Sequence, residues 1–226
     1  MANNRLLDSG LPYPADWPPQ AYYVPDRSIT SEQVAGLRSL VDRNSAETAL
    51  DQYIHQNQAL LTRCLKYTTT GHHGSWVIPK QAIRPPEAGV APGLIPDFIV
   101  GGKSSDGFAW YVVELKGSDA SMFSDTDSRL TFSQVVNRGV CQLLEYIDYC
   151  ASAQAYLRDT LRLTGFREPG GFLIVGRGAE FEHNTRRQQL KAAWNRRMGN
   201  AIEIRTWDGL LRDSQDWMEK YLTGSE

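Results

Sequence analysis

Residues 94–102, LIPDFIVGG, and residues 110–117, WYVVELKG, are two apolar segments that carry charged residues near their ends. Between them lies GKSSDG, whose glycines and polar residues suit a chain reversal. The two segments therefore predict a β-hairpin with strands at about 96–101 and 108–115. Charged side chains are rare at such positions unless they are paired or bind a cation.

The hairpin determines which charged side chains meet. If the chain reverses midway between the strands, Asp97 lies opposite Glu114, and opposed side chains share one face with Cβ atoms roughly 5 Å apart. Lys116 lies two residues after Glu114, and because side chains alternate between the two faces of a strand, it lies on the same face. Two carboxylates about 4 Å apart repel by about 4 kcal/mol at an effective dielectric constant of about 20. A lysine offsets part of that repulsion, and a divalent cation would turn it into attraction.

Charged residues in this arrangement suit metal-dependent hydrolysis. Clustered carboxylate oxygens are ligands of Mg²⁺ or Mn²⁺, which keep several waters and bind substrate phosphate. Such an ion activates water and neutralises charge on phosphorus, and an adjacent ammonium group can orient the water. The pattern thus predicts hydrolysis of a phosphodiester. A cross-strand salt-bridge cluster on an exposed sheet face explains the same residues, and the spacing alone leaves both interpretations open.

The remaining segments predict an α/β domain with a mixed sheet flanked by helices. Residues 1–27 are rich in proline and predict an extended arm, whose aromatic side chains pack onto its own domain or a neighbouring subunit. Residues 117–131 are polar and predict a loop. The other predicted elements are helices at 30–42, 44–61, 132–163 and 182–198 and from 208 onward, and strands at 76–78, 170–177 and 201–207.

Composition bounds the class of protein. The 226 residues are 41% hydrophobic and 22% charged with a net charge of −2, as in an ordinary soluble domain, so nucleic-acid binding would need a local basic patch. Cys64, Cys141 and Cys150 include no CxxC pair and predict free thiols in a reducing compartment. The N-terminus lacks the pattern of a signal peptide, and no apolar run reaches the roughly 18–20 residues that span a bilayer. We therefore expect a cytoplasmic protein without a membrane segment.

A resemblance to a known protein family adds to these observations. IPDFIV followed by VVELKG resembles the Pro-Asp…(Asp/Glu)-X-Lys signature, PD-(D/E)XK, of the restriction-endonuclease-like nucleases. With AETALDQYIHQNQALL before it and CQLLEYIDY, GFLIVGR and IEIRTWDGLL after it, the chain resembles the nuclease domain of the Shedu anti-phage defence family over about residues 40–213. The resemblance implies a restriction-endonuclease-like core. It also implies two parts: 1–40, a Pro-rich N-terminal arm with the first helix, and 41–226, the PD-(D/E)XK nuclease domain.

The resemblance also implies roles for the hairpin residues. It makes the chain a metal-dependent DNA endonuclease in which Asp97 and Glu114 hold Mg²⁺ or Mn²⁺ and Lys116 is the catalytic lysine. Gln142 matches, with Tyr146, a Gln-X-X-X-Tyr pattern that some relatives place beside the metal. A polar, solvated helix face is the alternative for Gln142.

Glu47 is a further candidate, because many relatives place an acidic residue of the preceding helix in the site. Its spacing from Asn44 also fits a capping box, which gives it a purely structural alternative.

Basic residues give a weaker prediction of DNA contacts. Arg177 ends a predicted strand, and helix 182–198 is the most basic stretch of the chain. Arg186, Arg187 and Lys191 on that helix are candidates for phosphate contacts, with a solvated charged face as the alternative.

The leading hypothesis is cleavage of double-stranded phage DNA in bacterial defence. The resemblance suggests a homo-oligomer, controlled by its assembly, by the arm or by a separate regulatory partner. One alternative is a non-catalytic DNA-binding or assembly module on the same fold. Another is a restriction or repair nuclease of other specificity.

Overall fold

The computed structural model describes residues 12–25, 28–84, 94–126 and 129–222. For residues 221 and 222 it describes the backbone only. The helices are α1 Ser31–Asp42, α2 Glu47–Gln56, α3 Gln134–Ser152, α4 Thr185–Met198 and α5 Trp207–Leu222. The strands are β1 Tyr23–Val24, β2 Gly74–Pro79, β3 Phe98–Ser104, β4 Gly107–Leu115, β5 Phe123–Thr126, β6 Arg129–Phe132, β7 Gly170–Ile174 and β8 Ile202–Arg205. A 3₁₀-helical segment spans Gln58–Thr68, and a π-helical turn spans Tyr156–Thr160.

The central sheet is mixed, and its strands follow the order β1-β2-β3-β4-β7-β8. Neighbours from β1 to β4 are antiparallel, whereas β4, β7 and β8 run parallel. One face packs against α1, α2, the 3₁₀-helical segment and α5, and the other packs mainly against α3. The predicted α/β domain with a mixed sheet and flanking helices is confirmed.

The β3–β4 hairpin has the predicted register. Phe98 pairs with Val113 and Ser104 with Gly107, so the turn residues are Ser105 and Asp106. Gly107 has φ +110, a backbone conformation that glycine adopts without strain. Continuing the pairing by one step beyond Phe98 and Val113 places the two predicted carboxylates opposite each other.

The start of α2 differs from the prediction. Ala46 is the N-cap and makes no side-chain capping bond, and Asn44 has a left-handed φ of 50. The predicted Asn44–Glu47 capping box is therefore wrong. The helix also ends at Gln56 instead of near residue 61, because the backbone tightens into the 3₁₀-helical segment, whose apolar side chains enter the core.

The long predicted helix at 132–163 is shorter in the structure. It ends at Ser152, and the chain then bends through the π-helical turn and past Arg162, which has a left-handed φ of 56. The bend buries Leu157, Leu163 and Phe166 before β7 starts, and this burial offsets the loss of regular helix.

The predicted loop at 117–131 is also wrong in part. Residues 123–126 and 129–132 form β5 and β6, an antiparallel pair separate from the central sheet. Phe123 lies opposite Phe132, with ring centroids 5.8 Å apart. The Glu180 carboxylate accepts the backbone N–H groups of Met122 and Phe123 at 2.6 and 3.1 Å, which ties the hairpin to the loop after β7.

The described part of the N-terminal arm packs onto its own domain. Trp17 is buried, Trp76 Nε1 donates to Tyr13 Oη at 2.7 Å, and β1 adds an edge strand beside β2. Residues 1–11, 26 and 27 of the arm lie outside the described residues. The division of the chain at residue 40 stays a prediction.

Candidate active site

Asp97, Glu114 and Lys116 meet at one end of the β3–β4 hairpin. Lys116 Nζ donates to Glu114 Oε1 at 2.7 Å, and Asp97 Oδ2 accepts the backbone N–H of Leu115 at 2.7 Å. The last bond fixes the Asp97 carboxylate at the end of β4. The side chains that the sequence predicted to share a face are thus together.

Glu114 is the most buried charged group of the site, with 4% of its surface exposed. Burial raises the pKa of Glu114 to about 7, and the negative charge of Asp97 adds to the shift. For Lys116, burial lowers the pKa, but the hydrogen bond and the charge of Glu114 outweigh burial and leave the pKa raised. The carboxylate is therefore held in a place where its anion needs nearby positive charge.

Glu47 reaches the same place from the first turn of α2. Its Oε2 lies 3.6 Å from Lys116 Nζ, and its side chain is about half exposed. Asp51 follows one helical turn later on the same face of α2. Its Oδ1 lies 3.2 Å from Lys80 Nζ. The first turns of α2 thus contribute one carboxylate beside Lys116 and another beside Lys80.

Lys80 is a second cation at the site. It follows β2, where the antiparallel pairing with β3 brings it beside Asp97, and its Nζ donates to Asp97 Oδ1. Its backbone N–H also donates to the Asp97 carbonyl at 2.9 Å. Its φ of 45 is left-handed, a conformation that costs energy for a side chain of this type.

The charges of the site do not balance. Four carboxylates (Glu47, Asp51, Asp97 and Glu114) share two ammonium groups. A divalent cation would remove the excess negative charge and favour the ionised form of Glu114, so the donor set fits Mg²⁺ or Mn²⁺. Within the described ranges, no three acidic, histidine or cysteine side chains are placed to hold a metal by themselves. Water and phosphate oxygens would have to complete the coordination, as is usual for Mg²⁺.

Helix α3 covers the site from the other side. Tyr146 is buried and its hydroxyl donates to the carbonyl of Ile95 at 3.3 Å, just before Asp97 in the chain. Burial raises the pKa of Tyr146, with further contributions from the charges of Glu114 and Asp97, so its hydroxyl stays protonated. Gln142 lies one turn earlier on α3, half-buried at the edge of a cleft beside the β5–β6 hairpin.

Comparison with known families gives one match. The family model described as "Shedu protein SduA, C-terminal" matches residues 44–211, which include β3, β4, α2 and α3. The chain belongs to this family. No curated protein matches it.

In this member of the Shedu family, two of the predicted DNA-contacting residues bind groups other than the four carboxylates of the site. Arg177 donates to the Val41 carbonyl at 2.9 Å and pairs with Asp208 at 2.9 Å, so it joins β7 to α1 and α5. Arg187 donates to the Glu180 carbonyl at 3.0 Å.

The other two predicted contacts are on α4 as well. Arg186 is exposed, and Lys191 lies partly buried with its Nζ 5.8 Å from the centre of the Phe181 ring. DNA contact by these residues stays a prediction.

Two site residues were not found from the sequence, Lys80 and Asp51. The same argument that opposed Asp97 and Glu114 would have opposed Lys80 and Asp97, but it required knowing that β2 pairs with β3 across a long loop. Asp51 could have been found from its helical spacing after Glu47.

Among the described helices, none has the length and apolarity needed to cross a membrane.

Proposed function

We propose that this Shedu-family chain is a Mg²⁺- or Mn²⁺-dependent DNA endonuclease with a restriction-endonuclease-like core, acting in defence against phage. One observation supports the proposal most: a buried glutamate, Glu114, is paired with Lys116 and lies opposite Asp97 at the end of a hairpin. A salt bridge that served stability alone would not need the partly buried negative charge of Asp97 beside it, because that charge raises the cost of ionising Glu114.

Asp97 and Glu114 would hold the cation in this proposal. When bound, the cation supplies electrostatic stabilisation of the negative charge that develops on the scissile phosphate. The chain holds both carboxylates in place: the Leu115 N–H fixes Asp97, and Lys116 fixes Glu114. Their positions therefore need little rearrangement before substrate binds.

Lys116 would position the attacking water. Its ammonium group has three N–H donors, of which one is bound to Glu114, and its nitrogen lies 3.6 Å from Glu47 Oε2 as an ion pair. In the proposal, a further donor binds a water molecule or a phosphate oxygen. Glu47 limits the movement of the ammonium group, which favours one orientation of that water.

The substrate in this proposal is double-stranded DNA, and the active form is a homo-oligomer. Residues 177–191 carry the basic side chains that would contact DNA beyond the site. A separate regulatory partner remains part of the proposal.

Cleavage of linear and circular duplex DNA with Mg²⁺ or Mn²⁺ tests the proposal. We expect metal-dependent cleavage by the native chain and a loss of at least about a thousandfold in Glu114→Gln and in Lys116→Met. Lys66→Met is the matched control, since Lys66 donates to Asp213 at the same 2.7 Å but belongs to the 3₁₀-helical segment. Equal cleavage by Lys116→Met and Lys66→Met would refute the assigned site.

A second candidate function is a non-catalytic DNA-binding or assembly module. The ion pair between Lys80 and Asp97 favours it, because it already neutralises one predicted ligand. Duplex DNA binding that is unchanged in Glu114→Gln, with no cleavage by the native chain, would support this candidate.

A further inference from the structure

An open cleft of about 700 Å³ lies between the β5–β6 hairpin and the first half of α3. The hairpin supplies one wall through Ser124, Thr131 and Phe132, and α3 supplies the other. The walls are held together, because Asn137 Nδ2 donates to the Phe132 carbonyl at 3.2 Å. Ser133 begins α3 directly after β6 by accepting the Val136 N–H at 3.3 Å. The cleft is therefore part of the fold rather than a gap between loosely attached segments.

The polar lining of the cleft consists mainly of amides and hydroxyls. Gln134, Asn137 and Gln142 each carry both donors and acceptors, and the hairpin adds two hydroxyl groups. Gln134 is exposed. Groups that both donate and accept match the edges of nucleobases, which present both kinds of atom.

Charge in the cleft is balanced. Arg138 and Glu145, both on α3, contribute one positive and one negative charge to its lining. A site for phosphate alone would carry a surplus of positive charge, so the lining does not favour the DNA backbone as its main occupant.

Phe132 adds an aromatic residue to the lining of the same cleft. Its ring is stacked on Phe123 at 5.8 Å and meets the edge of Trp194 at 5.7 Å, so its orientation is fixed. Phe132 is half-buried, and it lines the cleft beside the amides. Amide groups next to an aromatic residue are typical of sites that read an unpaired base.

Helix α3 connects the cleft with the candidate active site. Gln142 lines it, and Tyr146, one turn later on α3, donates to the carbonyl of Ile95 beside Asp97. A nucleotide whose base lay in the cleft would therefore neighbour the phosphate at the hairpin end.

We propose that this cleft binds one unstacked nucleobase of the DNA strand next to the phosphate that is cut. The inference rests on the proposed function for the identity of its ligand. It implies that the protein prefers DNA with an unpaired or frayed base near the cleavage position.

Cys141 makes the inference testable without cleavage. It lines the cleft and is exposed, whereas Cys64 and Cys150 are buried, so an alkylating reagent should modify Cys141 first. The rate of its alkylation is measured in EDTA, alone and with a saturating single-stranded oligonucleotide. A second oligonucleotide of equal length carries abasic sites throughout and thus has the same phosphates without bases.

We expect the normal oligonucleotide to slow alkylation of Cys141 at least fivefold and the abasic one to leave the rate unchanged. Gln134→Ala, which removes an exposed amide of the lining, should weaken binding of the normal oligonucleotide severalfold without affecting the abasic one. Gln56→Ala, an exposed amide at the end of α2, is the matched control and should alter neither.

Equal protection by both oligonucleotides would overturn the inference, because the backbone alone would then fill the cleft. Binding of both without protection would overturn it too. Metal-dependent cleavage by the native chain in either case would leave the proposed nuclease intact. If neither oligonucleotide nor duplex DNA binds, the nucleobase site and the proposed function both fail.

Discussion

Lys80 donates a hydrogen bond to Asp97 Oδ1, across the β2–β3 pairing, while the Leu115 N–H occupies Oδ2 of the same carboxylate. Both oxygens of the predicted metal ligand are thus already engaged. A divalent cation that bound Asp97 would have to share or displace the ammonium group, and Asp51 at 3.2 Å offers Lys80 another acceptor.

Replacing Lys80 by Met should strengthen binding of Mn²⁺ by about tenfold, because it removes a positive charge that competes for Asp97. Solvent screening keeps the effect this modest, since the Lys80 side chain is 42% exposed. Isothermal titration calorimetry of the chain with Mn²⁺ measures the change. Lys66→Met removes the same charge from the Asp213 pair and should leave the affinity unchanged. Unaltered or weaker binding in Lys80→Met would exclude competition at Asp97.

Glu114 should make the stability of the metal-free chain depend on pH. Its folded-state pKa of about 7 lies above the ordinary 4.5, so the folded chain binds more protons than the unfolded chain between these values. The free energy of unfolding therefore falls as the pH rises from about 4.5 to about 7, and the loss is complete above 7.

Glu114→Gln removes this titration and imitates the protonated side chain. We expect it to be more stable than the native chain by roughly 2–3 kcal/mol at pH 8 in EDTA and equally stable near pH 4. Urea unfolding at both pH values checks the prediction. A Gln variant that is less stable at pH 8 would mean that the hydrogen bond from Lys116 outweighs the burial of the carboxylate.

The β3–β4 hairpin could be predicted from the sequence because the residues that specify it lie within one short stretch of the chain. Two apolar strands flank a short polar turn, so the register that opposes Asp97 and Glu114 has few alternatives. Lys80 depends on pairing between β2 and β3, which are separated by a long loop, and no local pattern specifies that pairing. The carboxylates proposed as metal ligands could therefore be predicted from the sequence, but the lysine that pairs with one of them could not.

The β5–β6 hairpin could not be predicted for another reason. Its strands are short and largely exposed, so they lack the alternation of apolar residues that marks a strand. Contacts distant in sequence hold it instead, above all those of Glu180. Because this hairpin forms one wall of the cleft, the cleft could not be predicted from the sequence either.

Glu180→Ala should loosen that hairpin. The substitution removes an ionised acceptor from the N–H groups of Met122 and Phe123, and charge-assisted bonds contribute about 1.5–3 kcal/mol each. We expect hydrogen exchange over residues 121–132 to accelerate at least tenfold, while the central sheet keeps its protection. Glu182→Ala, an exposed neighbour, is the control and should leave exchange unchanged. Uniform acceleration throughout the chain would indicate global destabilisation rather than release of the hairpin.

Lys191 should reduce stability at neutral pH. Burial lowers its pKa from 10.5 to about 8, and the positive charge of Arg205 adds to the shift. Between these values the unfolded chain binds more protons than the folded chain, so the free energy of unfolding rises with pH from about 8 to about 10.5. Below pH 8 the folded chain bears the full cost of the partly buried ammonium group.

Lys191→Met keeps an unbranched apolar side chain near Phe181 and removes the charge. We expect a gain of roughly 2 kcal/mol in the free energy of unfolding at pH 7, which disappears toward pH 10.5. Urea unfolding at pH 7 and pH 10 measures both values, with Arg186→Met as the exposed control on α4. A gain of equal size at both pH values would trace the effect to packing rather than to charge. A loss of DNA affinity in Lys191→Met despite higher stability would support its predicted contact with phosphate.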